Sequence, residues 1–101
     1  MKVTDIYLEQ LKKIFLSALK EKKIKVLLFG SRARGDAQPG SDIDIGILAQ
    51  DPDDLNILPV LREQIEESTI PFKVDVINLN EASDHLRTQV LKEGILWKDY
   101  S

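Results

Sequence analysis

The chain contains no cysteine, which excludes disulfides and thiolate metal sites. It has one histidine, His85, and a lone histidine reads as a surface residue rather than a catalyst. No apolar run approaches the ~20 residues needed to cross a bilayer. No charged stretch leading into an apolar one follows Met1, so no secretory leader is expected. An excess of positive charge is missing too. The formal net charge is -3, whereas a protein that grips duplex nucleic acid usually shows a basic face. Lys12, Lys13, Lys20, Lys22, Lys23 and Lys25 do cluster, but Glu9 and Glu21 interleave with them, the pattern of a solvated helix face. These absences fit a cytoplasmic protein with neither a membrane nor nucleic acid as its partner.

What is present suits one compact domain spanning 1–101. A hydrophobic share of 43% beside 31% charged residues is globular rather than disordered. Thr4 is placed to cap a first helix running to about Lys20, with Leu8, Leu11, Phe15, Ala18 and Leu19 on one stripe. Val26–Phe29 reads as a buried strand ended by Gly30. Ser31–Arg34 has room for one or two helical turns, and Gly35–Gly40 is a loop. Asp42–Leu48 alternates, with Ile43, Ile45 and Ile47 on one face and Asp42, Asp44 and Gly46 on the other. Asp51–Asp54 opens a helix to about Glu67, which Pro59 either starts or kinks. Lys73–Asn78 is a third strand. Asn80 is placed to cap a last helix that stops at Gly94, and Ile95–Trp97 adds a short edge strand. The order implies an α+β fold: a small mixed β-sheet with helices packed on one face and the other face open at Asp42, Asp44 and Asp75.

The chemistry gathers on that open face. Asp42 and Asp44, two apart on a strand, point the same way, and like charges so close favour a cation between them. Mg²⁺ accepts a partial site of carboxylates completed by water and substrate phosphates. Asp75 stands among apolar neighbours on a strand, where aspartate is depleted. If its strand neighbours Asp42–Leu48, it joins the pair, and three carboxylates suit two metals roughly 3.5–4 Å apart, the clamp used in phosphoryl transfer. Gly30-Ser31, where a buried strand turns into a short helix, offers backbone N–H groups for a phosphate. Arg32 and Arg34 add positive charge there.

Gly30-Ser31, ten intervening residues and Asp42-Ile43-Asp44 resemble the G-S-x10-D-x-D pattern of the DNA polymerase β-like nucleotidyltransferase superfamily. Gly35 and Ser41 match its fuller form, and Asp75 stands where the superfamily places its third acid. The length is similar to that of the minimal nucleotidyltransferases (MNT), which are usually paired with a helical HEPN partner. The resemblance implies that Gly30 and Ser31 hold the β- and γ-phosphates of a nucleoside triphosphate. Arg32, Arg34 and Ser41 complete the nucleotide-binding set. It further implies that Asp42 and Asp44 bind two Mg²⁺ ions, while Asp75 binds the catalytic metal and helps deprotonate an acceptor hydroxyl. The implied activity is transfer of a nucleotide, AMP from ATP above all, to a hydroxyl of a protein partner, as the antitoxin of a HEPN toxin. So short a chain leaves little for holding an acceptor, which a second protein or another copy would present. A catalytic subunit modifying a small molecule, and an antitoxin that acts by binding alone, are the alternatives. Arg62 is placed to pair with Glu66 at i+4; Arg87 is left between the triphosphate and a partner; Tyr7, Phe72 and Trp97 read as core or interface.

Overall fold

A computed structural model of the chain describes residues 2–100. Helix α1 (Val3–Ala18) begins at Lys2, whose backbone N–H donates to the Asp5 carboxylate at 3.2 Å. Thr4 therefore lies inside the first turn and does not cap it: Asp5, three residues after Lys2, already accepts the free N–H. Leu11, Phe15 and Leu19 are fully buried along one stripe. Each contributes roughly 1.5–3 kcal/mol by leaving water.

Strand β1 (Ile24–Phe29) pairs antiparallel with β2 (Ile43–Ala49) and with β4 (Ile95–Lys98), while β2 pairs parallel with β3 (Val74–Asn78). The sheet order is β3-β2-β1-β4. Between β1 and β2 lies the four-residue helix α2 (Ser31–Arg34). A 3-10 turn (Pro52–Ile57) and helix α3 (Leu58–Glu66) carry the chain from β2 to β3. Such a crossover is what a parallel pair requires. Pro59 sits in the first turn of α3 and starts the helix without kinking it, because its missing N–H has no partner to lose there. Asp51 accepts from the Asp53 N–H and caps the 3-10 turn.

The strands sort their side chains by parity. Ile24, Val26 and Leu28 of β1, with Ile43, Ile45, Ile47 and Ala49 of β2, form the main core beneath α1 and α3. Leu27 joins Leu79 and Val90 in a second cluster on the other face, flanked by Phe29, Leu48, Ile77 and Leu86. Helix α4 (Asp84–Glu93) supplies Leu86 and Val90. The α+β class and the mixed sheet are as the sequence implies, but the helices are not all on one face. Gly46 explains how α4 reaches the sheet: a Cβ there would lie 2.9 Å from Leu79 Cδ1 and 3.2 Å from Val90 Cγ1.

Two further local expectations change. Ser83, not Asn80, caps α4, accepting from the Leu86 N–H at 3.2 Å. Asn80 instead bonds the end of β2, donating to the Ala49 carbonyl and accepting from its N–H at 2.9 and 2.8 Å. Gly94 does follow the last helical residue, but with φ -72 it needs no left-handed conformation. Among the described residues no helix is long and apolar enough to cross a membrane.

Candidate active site

Asp44 and Asp75 are direct partners in the parallel β2–β3 register. Both point away from the main core, because Ile43, Ile45, Val74 and Val76 take the opposite parity. Asp42 precedes β2 by one residue and is exposed. Burial is the largest cause raising the Asp44 carboxyl above its ordinary range, followed by the charges of Asp75 and then Asp42; Arg34 and Lys73 pull it back down. The three acids are thus close enough to repel. Among the described residues, however, no three acidic or imidazole groups are drawn together tightly enough to hold one ion by themselves. Hard carboxylate oxygens, repelling across a half-open face, fit a hard divalent cation that keeps water and ligand oxygens of its own.

Gly30 joins the strand–helix turn to this acidic half. It adopts φ 74 and ψ -155, and a Cβ on it would stand 2.5 Å from Asp44 Oδ2. Only glycine meets both demands, since that backbone region is essentially closed to other residues. The Gly30 carbonyl accepts from the N–H groups of Ala33 and Arg34, both at 3.1 Å. The N–H groups of Ser31 and Arg32 have no hydrogen bond among the described residues. They are the donors a helix start leaves over.

The two arginines diverge. Arg34 lies beside the acids, loosely paired through Nε with Asp36 at 3.3 Å, both side chains more than half exposed. Such a pair is worth at most about 1 kcal/mol and exchanges readily. Arg32 turns to the α1 side. It donates from Nη2 to the Ser41 carbonyl at 2.7 Å and lies 5.0 Å over the Phe72 ring. Ser41 in turn accepts from the Gln38 N–H through its hydroxyl at 2.9 Å. Arg32 and Ser41, expected as nucleotide contacts, tie the 35–41 loop to α2 and to the segment before β3.

Other residues acquire clear places. Lys73 Nζ stands 3.9 Å from Asp75 Oδ1; the sequence reading assigns it no role, and its position two before Asp75 is the signal that points to it. Arg62 does not pair with Glu66: its Nη2 donates to the Val76 carbonyl at 2.8 Å, a stronger anchor than a solvated ion pair. Arg87 donates to the carbonyls of Leu79 and Ala82 and to Asp84, so it pins the turn before α4. His85 is exposed. Trp97 packs on Phe15 and Tyr7 on Phe72, both in the manner of core aromatics.

A chain with this strand–turn–helix–strand order also matches a known family. The family model described as polymerase beta, nucleotidyltransferase matches residues 9–100. The chain belongs to that family. Among its relatives is the protein adenylyltransferase MntA of Shewanella oneidensis, 39% identical over 69 residues, which are 68% of this chain and 49% of that protein. The probable protein adenylyltransferase MntA of Haemophilus influenzae is 34% identical over 67 residues, 66% of this chain and 59% of that one. The chain therefore aligns with about half to three-fifths of the length of these relatives. A solved toxin–antitoxin structure with AMP-PNP superposes with a TM-score of 0.68 at 30% identity, covering 87% of this chain and 73% of the other. The nucleotidyltransferase family match thus runs from within α1 to β4, and the fold is shared over most of the chain.

Proposed function

We propose that this nucleotidyltransferase transfers AMP from ATP to a hydroxyl of a protein partner, as the antitoxin of a helical HEPN-type toxin. The observation that carries it is the meeting of Gly30, Asp44 and Asp75 at one point of the sheet. The relatives named protein adenylyltransferase, and the toxin–antitoxin structure with AMP-PNP, support the nucleotide and the partner.

The residues divide the work. The Ser31 and Arg32 N–H groups and the Ser31 hydroxyl face the β- and γ-phosphates, with Arg34 supplying charge. Asp42 and Asp44 hold Mg²⁺, two ions with the help of Asp75. When bound, Mg²⁺ neutralises charge on the phosphates and on the leaving group. Asp75 takes the proton of the acceptor hydroxyl. The hydroxyl oxygen then bonds the α-phosphorus, the bond from that phosphorus to the bridging oxygen breaks, and pyrophosphate leaves. Arg32 and Ser41 act on the same chemistry by holding the loop that carries Asp42.

The test mixes the protein, Mg²⁺, ATP labelled on the α-phosphate and the helical product of the neighbouring gene. Label on the partner, lost in Asp42→Asn with Asp44→Asn, is the expected result. An unlabelled partner under conditions where ATP binds refutes the reading. Neutralisation of the toxin in cells by that double variant would move the function to binding alone.

A further inference from the structure

Strand β3 is one edge of the sheet, and it carries Asp75. Two hydrogen bonds fix which of its backbone groups face outward. Ile43 N–H donates to the Lys73 carbonyl, and Leu79 N–H donates to the Ile47 carbonyl. In a parallel ladder the groups that pair with one neighbour come from alternate residues. Residues 73, 75, 77 and 79 therefore face β2, while Val74 and Val76 present their N–H and carbonyl groups to the open side. Only the Val76 carbonyl has a partner among the described residues, the Arg62 guanidinium. The Val74 N–H, the Val74 carbonyl and the Val76 N–H stand in a row, spaced for an added strand.

A cavity of about 460 Å³ follows this edge. It is bounded by residues of both faces of β3 and by Arg62, Ile65, Glu66 and Phe72. The lining is mixed, apolar toward the core and charged at the rim. On a strand laid here, a residue opposite Asp75 has its Cβ about 4.5–5.5 Å away and on the same face. A hydroxyl at that place meets the carboxylate of Asp75.

We infer that β3 is the docking edge for the acceptor: an extended segment of the partner protein adds to it as an outer strand and so delivers its hydroxyl to Asp75. This deepens the proposed transferase reading and rests on it for the identity of the reaction, not for the binding mode. The charges argue against a second copy as the occupant. Antiparallel pairing of two β3 edges about Val76 brings both Arg62 guanidinium groups together, which is unfavourable. Arg62 is held by the Val76 carbonyl and shares the groove with Glu66, so the charge that selects is Lys73, its side chain 71% exposed at the entry of the strand, which favours a segment with an acidic residue on the N-terminal side of β3.

The test uses the full chain labelled with ¹⁵N and short synthetic peptides carrying one tyrosine, serine or threonine between either acidic or basic neighbours. The expected result is that an acidic-flanked peptide shifts the Val74 and Val76 amide signals and slows their exchange with solvent. Val74→Pro removes one outward N–H while leaving the β2 ladder intact, and Val74→Ala controls for the lost side chain. Relative to Val74→Ala, Val74→Pro should weaken peptide binding about tenfold, equivalent to about 1.4 kcal/mol, with Mg·ATP binding unchanged. Equal binding by the two variants, binding that perturbs other amides, or no binding by any peptide overturns the proposal. So does protection of the edge that grows with protein concentration alone, which marks a second copy. If Val74→Pro fails to fold, amide exchange in the unaltered chain decides. Peptides that dock on β3 but take no AMP leave the edge standing and remove the transferase reading. Peptides that take AMP without touching β3 do the reverse.

Discussion

Gly30→Ala is a sharp perturbation of this site because two separate costs meet at one atom. The backbone at φ 74 and ψ -155 lies in a region that costs other residues about 1–3 kcal/mol. The added Cβ would also sit 2.5 Å from Asp44 Oδ2. Rotating Asp44 off its preferred χ angle to make room costs a further ~0.5–1.5 kcal/mol. The sum is about 1.5–4.5 kcal/mol, a large part of the roughly 5–15 kcal/mol that holds a domain folded. At roughly 4–8 °C per kcal/mol for a domain near this size, Tm should fall by at least about 6 °C. Circular dichroism melts in Mg²⁺-free buffer measure it. A shift of less than about 3 °C refutes both the backbone and the contact argument. Combining Gly30→Ala with Asp44→Ala separates the two, since the second change removes the contact and leaves the backbone strain. The pair should show coupling of about 0.5–1.5 kcal/mol; strict additivity would mean that Asp44 does not feel the methyl group.

Two other outcomes follow from the hydrogen bonds and charges. Asn80→Ala leaves both the N–H and the carbonyl of Ala49 without their partner. It should lower stability by about 2–3 kcal/mol in urea unfolding, and a loss below about 0.5 kcal/mol would show that water replaces the amide freely. Asp44→Asn should act in the opposite direction. Burial first, then Asp75 and Asp42, raise the Asp44 carboxyl, so the folded chain holds that proton more tightly than the unfolded chain does. Ionised Asp44 therefore costs stability, from zero in strong acid to its full amount above the raised folded-state pKa. Asp44→Asn should melt higher than the unaltered chain at neutral pH without Mg²⁺, and the difference should vanish on acidification. A difference that does not change with pH would trace to packing instead.

Much of this arrangement was readable from residue order, and the unreadable parts share a cause. Ile43, Ile45 and Ile47 alternate with Asp42, Asp44 and Gly46, so the two faces of β2 follow from the pleat alone. The pairing of Asp44 with Asp75 needed only the premise that β2 and β3 are neighbours. Asn80 and Ser83 are both cap-type residues three apart, and local rules do not choose between them. The choice was made by Ala49, 31 positions from Asn80, whose open backbone groups claim its amide. Arg62 likewise had a local partner at i+4 and took the Val76 carbonyl 14 residues away. Arg32 and Arg34 looked equivalent beside Gly30, and only the fold sends one to Ser41 and Phe72 and leaves the other by the acids. For α4, the apolar Leu86 and Val90 showed that the helix must pack, not on which face. Gly46 was the one hint, as a glycine inside a strand marks a close approach.

The uneven cover of the sheet explains why the acids can exist where they do. Helices α1 and α3 seal one face, while α4 reaches the other over Gly46 and leaves the Asp44–Asp75 end of the β2–β3 ladder half-exposed. Full burial would drive these carboxyls neutral, and full exposure would let water screen them. At half-burial the Asp44 carboxyl is raised by burial and then by the charges of Asp75 and Asp42, which Arg34 and Lys73 only partly oppose. A cation that binds the folded chain and not the unfolded one then stabilises the fold by mass action. It does so at carboxylates whose mutual repulsion costs stability. Stability that rises with Mg²⁺ in the unaltered chain, but not in Asp42→Asn with Asp44→Asn, is the consequence. The strain at Gly30 belongs to the same logic: a backbone that only glycine tolerates sets the strand–helix turn against Asp44, and so brings the two halves of the proposed site together.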